Sequence, residues 1–287
     1  MDATLILLLD TANFVLAVIL VAMGLVIIFG LMRIINMAHG ELFLLGAYTV
    51  LVVQQATDSF WLGLIAAPIA VGLVGLVIEI LVVRFVYSRF LDAILATWGL
   101  SIVIKQAVVL TFGPQSQVVA PPFDLSLTFL GAPYPAYRLF IMAASLCVIG
   151  ATLALFLMTE FGLKARATIA DRKMAECLGI DIRAIDRRTF ALGAALAGFA
   201  GAVMAPIMSV DPYMGLGFLV PAFLSILVGG AGNLLGPLGG AAIIGGGDTI
   251  LSNLLSPVAA QIIVLAIAII VIRLFPQGLA GRSGRGS

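Results

Sequence analysis

Between Asp10 and Arg33 the chain carries no charged residue. The stretch Thr11–Met32 is long enough, as a helix, to cross a hydrocarbon core that takes about 20 residues to span. Comparable apolar runs follow at Trp61–Val83, Ile94–Phe112, Leu139–Met158, Phe190–Met208 and Val258–Leu274. Three shorter ones, Ala38–Val53, Leu216–Val228 and Leu238–Leu251, each adjoin a polar or glycine-containing break. Backbone interrupted at membrane depth survives only where protein or a wet cavity satisfies its polar groups. The pattern predicts an all-α polytopic membrane protein with eight or nine transmembrane helices, some short or broken. Composition agrees: 62% of the 287 residues are apolar and 10% charged, and mean hydropathy is +1.22. A soluble domain carries about 25% charged residues, so most of this surface must meet lipid. The net charge of +1 gives no reason to expect a nucleic-acid partner.

The placement of the basic residues gives an orientation. Residues 160–188 hold seven of the fifteen Lys and Arg, namely Lys164, Arg166, Arg172, Lys173, Arg183, Arg187 and Arg188. Basic loops stay in the cytoplasm, so this loop is expected inside, with Arg84, Arg89 and Arg273 on the same side. Residues 113–138 then face the periplasm, the N-terminus lies outside and the C-terminus inside. MDATLILLLDTANF lacks the basic n-region of a cleavable signal, which predicts an uncleaved first helix as the targeting element. Cys147 and Cys177 do not suggest a disulfide framework, and residues 282–287 read as a disordered tail.

The polar residues inside this greasy frame are few. Arg33, Asn36, His39 and Glu41 lie within RIINMAHGE, between the first two apolar runs. Gly40 can supply an unusual backbone turn, Asn36 and His39 can satisfy freed backbone groups, and Arg33 can pair with Glu41. The stretch is either a gate that hinges or a plain inner turn. Glu79 is expected to snorkel near the inner interface. Lys105 and Asp248 sit inside runs, where a charge is costly and faces protein or water. Gly193, Ala197 and Gly201 form a small-residue ridge for close helix packing, as do Gly236 and Gly240. Asp211 and Pro212 read as an outer turn. In the basic loop, Ala165, Ile169, Met174, Cys177, Leu178 and Ile182 have roughly helical spacing, and Gly179 reads as a helix C-cap.

Four blocks resemble the permease subunits of ABC importers of the branched-chain amino acid type. ARATIADRKMAECLGIDIRAIDRRTFALGAALAGFAGAV is similar to the coupling region; GLMRIINMAHGELFLLGAY resembles the N-terminal signature of the first-permease type. FLVPAFLSILVGGAGNLLGPLGGAAIIG resembles the late Gly-rich block and RLFPQGLAG the C-terminal end. Ala175 and Gly179 match the general importer coupling motif, whereas Lys173 and Met174 depart from it. A fifth block, DAILATWGLSIVIKQAVVLTFGPQSQVVAPP, resembles the urea and short-chain amide branch at TWGLS.

The resemblance implies a single permease domain over 1–281, whose 160–188 loop carries a coupling helix. It implies a second homologous permease, two cytoplasmic ATPases that bind ATP and magnesium, a periplasmic substrate-binding protein, and alternating access in the bacterial inner membrane. Arg166, Arg172, Lys173, Ala175, Gly179 and Arg183 would couple to the ATPases. Arg33, Asn36, His39, Gly40, Glu41, Trp98, Ser101, Gly229, Gly230 and Asn233 would line the path or gate. The chain itself is expected to bind no cofactor or metal: it has no Gly-Lys pair for a phosphate loop and only one histidine. A passive channel for urea or another small polar solute is the alternative, as is an ion-coupled carrier using Glu41, Glu79 and Asp248. A passive pore has no need of a docking helix, and a carrier's coupling ions would need intramembrane acids.

Overall fold

The structure, a computed structural model, describes residues 2–87, 89–129, 132–230 and 234–279. Each of the nine apolar runs is helical, and the basic segment adds α6 and α7, so that the described residues form α1 (Asp2–Met32), α2 (His39–Thr57), α3 (Phe60–Leu81), α4 (Phe90–Phe112), α5 (Ala136–Met158), α6 (Glu160–Ala170), α7 (Arg172–Cys177), α8 (Ile182–Met204), α9 (Leu216–Gly229), α10 (Gly236–Leu254) and α11 (Pro257–Leu274). Among the described residues, six segments are long and apolar enough to cross a membrane, built on α1, α3, α4, α5, α8 and α11. The helices that fall short, α2, α9 and α10, are the three that adjoin breaks in the sequence.

α8 is the hub. It packs along α1, α2 and α3, and its glycines set the distances. A methyl at Gly193 would lie 2.7 Å from the Gly24 carbonyl of α1, and one at Gly198 2.6 Å from Val71 of α3. At Gly201 it would collide with the Phe43 carbonyl of α2. The small-residue ridge therefore serves α1 and α2, and Gly198 beside it serves α3. In lipid such backbone approach gives the dispersion contact that the hydrophobic effect cannot. α10 repeats the device against α9, through Gly240 on Ser225 and Gly236 on Gly229. α4, α5 and α11 lie outermost and expose apolar side chains such as Leu91, Trp98, Leu110, Leu146 and Ile262.

Several boundaries differ from the sequence expectation. α1 extends back through Asp10, which lies outside the apolar run. α5 begins at Ala136, so Arg138 is helical rather than part of the 113–138 loop. That loop holds a short antiparallel hairpin, Ser126–Phe129 with Ala132–Pro135, and a bridge joins Gln117 to Val210. The basic stretch 160–188 is helical almost throughout, its last residues forming the start of α8. Side-chain caps separate its pieces: Thr159 accepts from the Gly162 N–H, Asp171 from that of Met174 and Asp181 from that of Ala184. Such caps satisfy amides that a helix start leaves unbonded.

Candidate functional site

The link between α1 and α2 is a buried polar elbow. α1 ends where Arg33 turns left-handed, at φ 54°. Gly40 needs no special backbone freedom: it lies in the first turn of α2, where a methyl would come 2.8 Å from the Gly215 carbonyl. Asn36 is buried, and its Oδ1 accepts from the Ala38 N–H at 3.1 Å. The His39 ring is also buried, with Nε2 3.1 Å from the Val21 carbonyl of α1.

The other half of the elbow comes from α4. Thr97, Ser101 and Lys105 recur every fourth residue, so they share one helix face. Thr97 Oγ1 accepts from the Met37 N–H at 3.1 Å. Ser101 Oγ donates to Glu41 Oε1 at 2.8 Å, and Lys105 Nζ lies 3.5 Å from the same oxygen. The partner of Glu41 is therefore Lys105, whereas Arg33 is exposed and makes no ion pair among the described residues. Spacing along one segment points to Arg33; the acid instead faces a helix that arrives sixty residues later. Asn36 Nδ2, His39 Nδ1 and Glu41 Oε2 are buried with no hydrogen-bond partner among the described residues. Each such group costs about 1–3 kcal/mol in a static fold. A segment that exchanges partners as it moves, or meets polar solute, recovers that cost.

A second charged cluster, at the same end of the bundle, was not legible in the sequence. Glu79 is buried rather than snorkelling, accepts from the Tyr87 hydroxyl at 2.5 Å and lies 3.6 Å from Arg187 Nε. Arg172 pairs with buried Asp186 and donates to the Leu31 carbonyl at 3.4 Å. Burial, and after it the bond to Glu79, push the Tyr87 hydroxyl well above the usual phenol range, so it stays a donor. Arg172 thus ties α7 to α8 and α1 rather than projecting outward. Of the other residues of the basic segment, Ala175 is buried, and Gly179 turns left-handed at φ 81° after α7. Lys173, Arg183, Met174 and Leu178 are exposed. Arg166 donates at 3.4 Å to the carbonyls of Gly162 and Leu157.

At the opposite end, Asp10 of α1 accepts from the Tyr134 hydroxyl of the hairpin at 2.8 Å and pairs with Arg138. Burial and the bond to Asp10 push the Tyr134 hydroxyl up to about 12, which keeps it a donor. Tyr137 donates to the Val203 carbonyl at 2.8 Å, and its ring sits within an aromatic group with Phe60, Phe123 and Phe140. Trp61 packs edge-on against Phe140 at 5.3 Å.

Of the remaining path candidates, Trp98 is exposed on α4. Gly229 abuts Gly236, and Gly230, at φ 101°, faces the Gln277 carbonyl so closely that an added methyl would lie 2.8 Å from it. The late Gly-rich block and the C-terminal end, apart in sequence, therefore meet. Asn233 lies outside the described residues. Asp248 faces a groove of about 510 Å³ between α9, α10 and α11.

A bundle with six segments long and apolar enough to cross a membrane, and with charge pairs buried between its helices, is the architecture of a polytopic membrane protein. Residues 7–272 match the family described as "Branched-chain amino acid transport system / permease component". The high-affinity branched-chain amino acid transport system permease protein LivH of Salmonella typhimurium is 30% identical over 279 residues, 92% of this chain and 91% of LivH. LivH of Escherichia coli is 29% identical over the same shares, and BraD of Pseudomonas aeruginosa, a permease protein of the same description, is 25% identical over 92% of this chain and 91% of BraD. No solved structure matches. The chain belongs to this family: it is a multi-pass inner-membrane permease subunit of an ABC importer, working with other subunits, and a transport component rather than an enzyme.

Proposed function

We propose that this permease forms half of the pathway of an ATP-driven, binding-protein-dependent importer for branched-chain amino acids. The observation that carries the reading is the near end-to-end match to permeases named for that transport. The TWGLS block around Trp98 favours a second reading, urea or a short-chain amide. The assembly contains a second homologous permease, two cytoplasmic ATPases that supply the ATP and magnesium chemistry, and a periplasmic binding protein. Residues 1–281 act as one permease domain.

All nine apolar helices cross or enter the bilayer, with the N-terminus outside and the C-terminus inside. The two ends of the bundle support this arrangement. Asp10, Gln54, Gln117, Tyr134 and Val210 are joined at one end, whereas Leu31, Glu79, Arg172 and Asp186 gather at the other. Helices α6 and α7 form the coupling element. Exposed Met174, Leu178 and Lys173 offer the ATPase an apolar and basic face, Ala175 and Gly179 shape the turn, Arg183 stands behind it at the start of α8, and Arg166 and Arg172 tie it to the bundle.

In alternating access, the elbow from Arg33 to Glu41 is the inner gate, with Ser101 and Lys105 of α4 holding Glu41 in one of its states. Gly229 and Gly230 form a second breakpoint, at the far end of α9 from the Gly40–Gly215 contact. ATP and the binding protein must each favour a different state for this to transport rather than leak.

The test is uptake of labelled leucine, and separately urea, by proteoliposomes holding the full importer. Uptake of leucine that needs ATP inside and binding protein outside is the expected result; uptake by this chain alone rejects it. His39→Ala is expected to retain ATPase activity and lose uptake, and wild-type uptake reduces the elbow to a structural turn.

A further inference from the structure

The charged cluster beyond the elbow encloses a cavity of about 450 Å³, and its charge is unbalanced. Arg84, Arg172, Arg183 and Arg187 line it, against only two acids, Glu79 and Asp186. The acids are already engaged, Glu79 with Arg187 and Asp186 with Arg172. Arg84 and Arg183 make no ion pair among the described residues; Arg84 only lies over the Phe85 ring, at 4.5 Å.

Position narrows the ligand. The cavity sits where three membrane-crossing segments end: one stops at Phe85, another starts at Phe90 and a third starts at Ile182. Arg84 and Arg183 are thus in the interfacial layer by the chain's own hydropathy. Phe85, which lines the cavity, is 67% exposed and gives it an apolar lip; Leu81, one turn earlier in the chain, is 64% exposed. A basic pocket with an apolar lip at the bilayer boundary fits a phosphodiester whose acyl chains continue along α3 and α4. Arginine's planar fork suits phosphate oxygens, whereas Tyr87, on the cavity wall, already donates its hydroxyl to Glu79.

We propose that this cavity binds the headgroup phosphate of an anionic phospholipid, which bridges the α3–α4 turn to the start of α8. A lipid there would neutralise Arg84 and Arg183 and brace the helix that α7 is tied to through Arg172 and Asp186. The proposal concerns lipid and does not depend on which solute is transported.

The experiment measures the melting temperature of the full chain, purified in neutral detergent, against short-chain phosphatidylglycerol, short-chain phosphatidylcholine and inorganic phosphate at matched ionic strength. Phosphatidylglycerol is expected to raise it saturably, phosphatidylcholine to leave it unmoved, and phosphate to act far more weakly. In Arg84→Gln/Arg183→Gln the half-saturating lipid concentration should rise roughly thirtyfold, at about 1 kcal/mol for each arginine beside an anionic surface. If that variant does not fold, Arg84→Gln alone carries the test, with a rise of about fivefold. Equal stabilisation by phosphatidylcholine, a phosphate response matching the lipid's, or an unchanged response in the variant overturns the proposal. Loss of ATPase co-purification with an unchanged lipid response assigns the arginines to a protein partner, and overturns it too.

Discussion

Glu41 and Lys105 form a pair in which each residue makes the other tolerable. Removing one partner of a buried ion pair strands the other and costs about 3–5 kcal/mol, whereas replacing both with neutral groups of similar size is often close to neutral. Lys105→Met should therefore lower the melting temperature more than Lys105→Met/Glu41→Gln does. A double variant no more stable than the single would mean that the two charges are not coupled. Both residues were visible in the sequence as costly charges near or inside apolar runs. Their pairing was not, because the nearest opposite charge along the chain, Arg33, lies outside on a left-handed turn while α4 brings Lys105 alongside. The same limit hid Glu79 and Asp186. Glu79 reads in the sequence as a snorkelling acid, and its partners Tyr87 and Arg187, like Arg172 for Asp186, come from other elements.

At the scale of elements, α8 shows what a sequence pattern does transmit. Gly193, Ala197 and Gly201 announced a packing ridge by spacing alone, since small residues every fourth position can only mark one helix face. Which neighbours lay against it was not written there, nor that Gly198, off the ridge, holds α3. The consequence is a contrast between glycines. Gly201→Val should abolish the folded bundle, because its first carbon meets the Phe43 backbone, which has no rotamer to change. Gly99 and Gly150 have nothing within 4 Å of an added methyl. Gly99→Ala and Gly150→Ala should hold or raise stability, by up to about 1 kcal/mol of helix propensity each. Expression yield and melting temperature in detergent check both, and a stable Gly201→Val chain refutes the packing of α8 on α2. The caps of the basic segment make a gentler case. Asp171→Ala should cost about 1 kcal/mol locally and lower ATP-driven uptake more than it lowers overall stability, because α7 hangs between this cap and Gly179.

For the whole molecule the decisive quantity is which end faces the cytoplasm, and the chain carries its own reporters. The structure leaves both cysteines free and exposed. Cys177 closes α7, in the basic segment, whereas Cys147 lies midway along α5 on a face that meets lipid or another subunit. A membrane-impermeant maleimide reaches only thiols in contact with water on its own side. In spheroplasts Cys177 should stay unlabelled, and in inside-out vesicles it should react fully, with Cys177→Ser abolishing the signal in the vesicles. Cys147 should stay unlabelled in each preparation, since a membrane-impermeant reagent does not enter hydrocarbon. Labelling of Cys177 from the periplasmic side would invert the arrangement. The Asp10, Tyr134 and Arg138 contacts would then lie with the ATPases, and the face of α6 and α7 would have no motor to receive. The positive-inside rule rests here on one segment that holds nearly half of the basic residues, so this one thiol tests the orientation of every helix tied to it.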